Sequence, residues 1–78
     1  MITPEEIKQT IEAGLPCDHV EVAGDGHHFE AVIVSAAFRG KSKVQQHQLV
    51  YRALGERMRE EIHALSMQTY TPEAWANQ

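Results

Sequence analysis

The stretch that decides the fold is Phe38–Tyr51, FRGKSKVQQHQLVY, in which a strand-like pattern gives way to helical periodicity. It begins the most basic part of the chain. Six of the seven basic residues lie between Arg39 and Arg59, opposed only by Glu56, so this window has a formal charge of +5. The rest of the chain has one basic and ten acidic residues and therefore a formal charge of −9. An acidic chain with one basic segment offers a face suited to an anionic partner.

The size and composition indicate a single small globular domain over residues 1–78. Hydrophobic residues make up 42% of the chain and charged residues 23%, which is typical of folded rather than disordered proteins. The single cysteine, Cys17, excludes an internal disulfide and indicates a reducing compartment. No apolar run approaches the ~20 residues that cross a bilayer, and the first helix starts almost at once. We therefore expect a cytoplasmic protein without membrane association.

The N-terminal residues predict a helix with both ends marked. Thr3 and Glu6 have the spacing of a capping box, and Pro4 suits the first helical position. Gly14 is predicted to end the helix in a left-handed conformation, and Pro16 prevents continuation. The apolar stripe of this helix comprises Ile7, Ile11 and Leu15.

Alternating residues then predict an antiparallel hairpin with strands at 19–22 and 27–35 and a turn at Gly24–Gly26. The valines of the first strand point inward. Alternation places His27 on the face of Phe29 and His28 on the opposite face. Both histidines lie at the mouth of the turn, where side chains are usually accessible.

The mid-chain helical region is predicted from an apolar seam at spacings of three and four: Val44, His47, Tyr51, Leu54, Met58 and Ile62. Gly55 lies off the seam and is predicted to divide the region into two helices. A third strand at 63–69 follows, and Thr71 opens a short last helix. A right-handed crossover should make the second and third strands parallel. The expected class is α+β, in the order α-β-β-α-α-β-α, with a three-stranded mixed sheet and helices on one face.

Five histidines are an excess for this length and the main candidates for chemistry. His47, on the seam, is interpreted as a core histidine, with a metal or nucleic-acid role as the alternative. His63 is either a cap at a helix C-terminus or a metal ligand that meets His27 or His28 across the sheet. Two imidazoles with outside ligands would suit zinc, copper or iron.

Other residues point away from enzyme chemistry. Cys17 is interpreted as a partly buried, unreactive thiol, since no base is in evident reach. The loop Arg39–Lys43 lacks the first glycine of a Walker motif, because Ser35 occupies that position. It is either a general anion-binding loop or a solvated one. No nucleophile–base pair or paired carboxylates stand out, so a non-enzymatic protein is expected.

Taken together, these features resemble the BolA family, and more closely its IbaG-like branch. The matching residues are Gly14-Leu15-Pro16, Asp25-Gly26-His27-His28-Phe29, Phe38-x-Gly40, His47 with Tyr51, Leu54, Ile62-His63-Ala64-Leu65 and Tyr70-Thr71-Pro72-x-x-Trp75. The similarity covers essentially the whole chain. It implies the fold predicted above, which is related to class II KH domains.

The resemblance implies a monothiol glutaredoxin as partner and a shared two-iron, two-sulfur cluster (2Fe-2S). The glutaredoxin side would supply its cysteine and a glutathione thiol. This chain would supply His63 and either His28 or His27, with His28 preferred because it precedes Phe29. Alone, the chain is expected to be a monomer or a weak homodimer.

The alternative implied role is a DNA-binding, stress-responsive regulator that uses the KH-like face, here Arg39, Lys41, Lys43 and Arg52. The residues flanking the mid-helix histidine are usually basic in the family, whereas this chain has Gln46 and Gln48. Their neutrality weakens the expected nucleic-acid surface.

Overall fold

The computed structural model describes residues 1–78 and has the predicted order of elements, with one addition. The elements are α1 (Pro4–Gly14), β1 (Cys17–Gly24), β2 (His28–Ser35), a 3₁₀ turn (Ala36–Phe38), α2 (Lys43–Leu54), α3 (Glu56–Glu60), β3 (Ala64–Tyr70) and α4 (Pro72–Ala76). The 3₁₀ turn was not predicted. None of the helices is long and apolar enough to cross a membrane.

The sheet has the strand order β1-β2-β3, antiparallel between β1 and β2 and parallel between β2 and β3. His28 lies opposite Ala64 at one end of the parallel pair, and Val34 lies opposite Tyr70 at the other. The predicted hairpin and mixed sheet are therefore confirmed. The central strand β2 is the most buried and carries Phe29 and Ile33 into the core.

Helix α1 is held at its start by the predicted capping box. The Glu6 amide donates to the Thr3 hydroxyl at 3.2 Å, and the Thr3 amide donates to the Glu6 carboxylate at 3.0 Å. This second bond is the main reason that the pKa of Glu6 lies below its usual range. Ile7 and Ile11 are fully buried, as the stripe predicted.

The helix ends at Gly14 as predicted, but the predicted left-handed conformation of Gly14 is wrong, and the C-cap Leu15 is extended. Its role is instead a close approach between helices. A Cβ at position 14 would lie 2.8 Å from the Cβ of Ala53 in α2, a distance that real Cβ atoms essentially never show. Glycine therefore allows α1 and α2 to pack without a gap.

Gly14→Ala should destabilise the domain by about 1–3 kcal/mol, although alanine is the better helix former. The cause is overpacking against Ala53, whose Cβ must move away. Chemical denaturation gives the free energy of unfolding. The double variant with Ala53→Gly should recover most of the loss, and an unchanged stability in Gly14→Ala alone would contradict the close approach.

The predicted seam of α2 is also wrong in its rotation about the helix axis. Of the predicted residues in α2 only Leu54 is buried, together with Gln46 and Val50, whereas Val44 is 67% exposed and Tyr51 is 40% exposed. His47 is half-buried rather than a core residue. The division at Gly55 is confirmed, and its φ of 58° redirects the chain so that no straight seam continues from α2 into α3.

The helices α1, α2 and α3 pack on one face of the sheet, as predicted, and share its core with Phe29 and Ile33. The prediction that the helices share one face is wrong for the short α4, which covers part of the other face, where its Trp75 contacts His19 and Tyr70. His19, Val34 and Tyr70 are neighbours across the three strands. The Trp75 ring lies 5.2 Å from the His19 ring and 5.3 Å from the Tyr70 ring. Val34 is fully buried between them.

Candidate functional site

The β1–β2 turn is stabilised by one carboxylate that accepts hydrogen bonds from two successive backbone amides. Asp25 accepts hydrogen bonds of 2.9 Å from the amides of His27 and His28. These two bonds, the one from His28 being the larger cause, lower the pKa of Asp25. The folded state favours the ionised carboxylate. The contribution of these bonds to the free energy of unfolding is therefore present above the usual aspartate pKa and is lost as the pH falls through the lowered pKa. The turn is thus fully held at neutral pH.

The structure brings His27, rather than His28, next to His63. The ring centroids of His27 and His63 are 5.6 Å apart, and their planes are inclined by 39°. His63 directly precedes β3, whose first residue lies opposite His28. Since neighbouring strand residues point to opposite faces, the His28 ring lies on the other side of the sheet from the buried Phe29. All three histidines are exposed.

The two paired histidines lie in an open depression of about 350 Å³ at one end of the sheet. It is lined by Met1, Ile2, Gly26, His27, Glu60, Glu61 and His63. No three His, Cys, Asp or Glu residues of the chain are grouped to hold a metal ion. Among these donor types the chain thus offers a pair of imidazoles at the depression, and further ligands would come from elsewhere.

The spacing of the two rings suits joint ligation of one metal. Two imidazoles bound to a tetrahedral metal at about 2.0–2.1 Å hold their ring centroids roughly 5 Å apart. The observed separation is 5.6 Å, so a small rotation of exposed side chains would be enough. The depression is open to solvent, which leaves room for a partner to supply the remaining ligands.

Two other candidates lie away from this depression. His47 lines a shallower groove of about 260 Å³ between α2 and β3, together with Lys43 and Tyr70. Cys17 is half-buried, and its pKa is raised by burial and by the negative charges of Glu12 and Asp18. A thiol with a raised pKa stays protonated at neutral pH, which agrees with the expected unreactive cysteine.

The basic residues of the alternative site do not form one free surface. Arg39 donates to the Glu73 carboxylate of α4 through two bonds of 3.0 and 2.5 Å. This pairing raises the pKa of Arg39 and lowers that of Glu73. The Lys43 amine donates to the Thr69 carbonyl and lies over the Tyr70 ring.

The remaining two candidates, Lys41 and Arg52, are exposed and make no ion pair. Lys43 and Arg52 are nine positions apart in α2, which at about 100° per residue places them on opposite sides of the helix. Arg57 and Arg59 pair with Glu6, Glu61 and Glu56. Three of the six basic side chains in the +5 window thus pair with acidic side chains of the folded protein.

Asp25 and Met1 are site residues that the sequence analysis did not assign. An Asp-Gly pair ahead of two further polar residues is a signal for a side-chain-stabilised turn, and it could have identified Asp25 as the residue that positions His27. Nothing local could have placed Met1 and Glu60 beside the histidines, because these residues meet only when α1, the β1–β2 turn and α3 pack together.

Comparisons with known proteins agree with the fold. The family model described as BolA-like protein matches residues 2–74. The chain is 40% identical over 72 residues to the acid stress protein IbaG of Escherichia coli, covering 91% of this chain and 86% of that protein. It is 45% identical over 60 residues to the DNA-binding transcriptional regulator BolA of Haemophilus influenzae.

That second alignment covers 77% of this chain but 58% of the Haemophilus protein, so the chain spans little more than half of that relative's length. Among solved structures, a BolA protein homologue from Coxiella burnetii superimposes with a TM-score of 0.84 at 48% identity. It covers 97% of this chain and 99% of the other. The predicted α+β fold with a three-stranded mixed sheet is therefore confirmed.

Proposed function

We propose that this chain, which belongs to the BolA-like protein family, pairs with a monothiol glutaredoxin and contributes two histidines to a shared 2Fe-2S cluster. The histidines are His63 and His27. The role would be cluster trafficking, or iron and stress signalling, in the cytoplasm, and it requires no catalysis by this chain. The E. coli relative's name, acid stress protein, fits a stress-related role.

The observation that carries this proposal is the exposed pair of imidazoles at 5.6 Å. Both rings are at the ends of elements, one in a turn and one before a strand, so a partner can reach them without unfolding the core. The chain adds no third ligand of the His, Cys, Asp or Glu type. A metal group held here therefore suits sharing between two proteins better than enclosure in one.

Histidine ligands would also change the properties of the shared group. When bound, a 2Fe-2S cluster with two histidines on one iron has a higher reduction potential than one held by four cysteines. Neutral imidazole in place of thiolate removes negative charge from the ligand set. The exposed depression provides the access that transfer to another protein needs.

The ring positions support His27 over His28 as the second ligand. Sequence alone favoured His28, whereas the ring beside His63 is that of His27. For His28 to replace it, its side chain would have to cross from the opposite face of β2. The Asp25 bonds to both backbone amides oppose such a rearrangement of the turn.

Co-expression with a monothiol glutaredoxin tests the proposal most directly. The expected result is a coloured hetero-complex whose visible absorption and circular dichroism differ from those of the glutaredoxin with its own cluster. Addition of glutathione during reconstitution should be necessary, since it supplies one thiol. Purification of the two proteins apart, with no change in the glutaredoxin spectrum, would reject the proposal.

A second candidate function is DNA binding, and it is favoured by Lys41 and Arg52, two exposed basic residues that make no ion pair. The Haemophilus relative is named a DNA-binding transcriptional regulator. Lys41 directly precedes the N-cap of α2, Ser42, where free backbone N–H groups also favour anions. The pairing of Arg39 with Glu73 reduces the available positive charge.

For DNA binding, we expect Lys41→Ala to weaken the affinity and to reduce the slope of log affinity against log salt by up to ~0.9, the value for one phosphate contact. Lys8→Ala, on α1 outside the basic segment, is the matched control and should leave the slope unchanged. Fluorescence anisotropy with duplex DNA over a range of salt concentrations measures both. Absence of binding at low salt would remove this second function.

A further inference from the structure

Met1 lines the depression without being part of the hydrophobic core. Its side chain is 95% exposed, so it contributes little to the hydrophobic core. Its sulfur nevertheless lies 2.7 Å from the point that a Cβ on Gly26 would occupy. Gly26 is the residue directly before His27, and Met1, His27 and His63 line the same depression.

The geometry points to a copper(I) site formed by Met1, His27 and His63. A thioether is a soft, uncharged ligand that selects Cu(I) over harder metals, and imidazole also suits copper. Three neutral donors in an open depression fit a monovalent cation better than a divalent one. Glu60 and Glu61 also line the depression, and their carboxylates add negative charge near the entering cation.

Gly26 is needed for this arrangement for two separate reasons. Its φ of 100° is a conformation that residues with a side chain rarely adopt. A Cβ there would also lie 2.7 Å from the Met1 sulfur, so the flexible Met1 side chain would have to move out of its present position. The same glycine thus shapes the turn that presents His27 and leaves the space in which the thioether lies.

This inference rests in part on the proposed function, because both use His27 and His63. The two sites differ in Met1, which only the copper site uses. A cluster shared with glutaredoxin needs only the two imidazoles from this chain. Copper(I) bound by the chain alone needs the thioether as the third donor, because no third His, Cys, Asp or Glu is grouped with the pair. The two sites are therefore alternatives at one depression, occupied with and without the partner.

The test is a titration of the full chain with Cu(I) under anaerobic conditions, in competition with a chromophoric chelator. The variants are Met1→Leu, His63→Ala and, as the matched control, Met58→Leu in α3. All chains are made with a cleavable N-terminal tag that supplies the initiating methionine, so that position 1 can be substituted. Loss of one of three ligands should weaken Cu(I) binding at least about ten-fold, whereas the control should keep the affinity of the unmodified chain.

X-ray absorption at the copper edge supplies an independent readout. The unmodified chain should show a sulfur neighbour of copper that is missing in Met1→Leu. Equal Cu(I) affinity in the two chains, or no sulfur neighbour in the unmodified one, would overturn the copper site. Cluster assembly with glutaredoxin should be unaffected in Met1→Leu, and its loss together with copper binding would overturn the separate role of the thioether. Copper binding without any shared cluster would reject the proposed function alone.

Discussion

Replacing His63 with alanine should abolish the mixed histidine–cysteine spectrum of a cluster reconstituted with a monothiol glutaredoxin and glutathione, and His27→Ala should do the same. Each change removes one of the two imidazoles whose rings lie 5.6 Å apart. Neither residue is buried, so the fold should persist in both variants. Asp25 bonds the backbone amide of residue 27, which alanine retains, so the turn itself should not change. Visible circular dichroism of the reconstituted complex is the measurement.

His28→Ala is the matched control for this experiment. It removes an exposed imidazole from the adjacent position and also leaves its amide bonded to Asp25. Because the His28 ring lies on the other face of β2, we expect the spectrum of the complex to stay as it is in the unmodified protein. A selective loss in His28→Ala, with His27→Ala unaffected, would return the ligand role to His28. An unchanged spectrum in His63→Ala would refute the shared site.

The parts of the fold that sequence predicted correctly are those specified by local chemistry. Thr3 and Glu6 bond to each other's backbone within one turn of chain, and such a box needs no tertiary contact. Gly55 marks a break because its backbone conformation is unusual for other residues. The alternation of β1 and β2 is likewise visible over a few residues. These features are properties of short segments, so a short segment reveals them.

The orientation of α2 could not be predicted in the same way, since its buried face includes a polar residue. Apolar spacing selected Val44, His47, Tyr51 and Leu54, yet of these only Leu54 is buried, together with Val50, which lay off the predicted seam. The rotation depends on Gln46, which is 6% exposed and hydrogen-bonded on both sides of its amide. A hydrophobicity pattern counts such a glutamine as a surface residue.

In the candidate site, too, local features could be predicted from the sequence and features that depend on tertiary packing could not. The types of ligand were predictable, because histidines at a turn and before a strand are local features. Which loop histidine faces His63 depends on how β2 and β3 are paired, and sequence alone favoured His28. The basic surface is a similar case. Arg39 and Glu73 are 34 residues apart in the chain, so their ion pair is invisible before folding.

The interpretation of Gln46 changes most between sequence and structure. It was expected at the surface, as a neutral residue where the BolA family usually has a basic one. In the structure its amide nitrogen donates to the Lys41 carbonyl at 2.9 Å and to the Phe38 carbonyl at 3.4 Å. Its amide oxygen accepts from the Thr69 hydroxyl at 2.6 Å. One side chain therefore ties the loop before α2 to β3.

Gln46→Leu should accordingly cost about 3 kcal/mol of stability, although leucine is apolar and similar in size. The substitution leaves the fully buried Thr69 hydroxyl without its acceptor and the Lys41 carbonyl without the Gln46 donor, while the Phe38 carbonyl keeps its bond from the Lys41 amide. Each unsatisfied buried polar group costs roughly 1–3 kcal/mol. For a domain of this size, such a loss corresponds to a fall in Tm of at least about 12 °C.

Gln48→Leu provides the matched control, because it is the same substitution two residues further along α2 at an exposed position. Its effect should stay within about 0.5 kcal/mol. Thermal unfolding followed by far-ultraviolet circular dichroism compares the two variants. Amide hydrogen exchange should also increase across residues 39–42 in Gln46→Leu only, because that loop loses its link to β3. Equal melting temperatures would show that the Gln46 hydrogen bonds do not stabilise the link between this loop and β3. The rotation of α2 would then be set by Val50 and Leu54 alone.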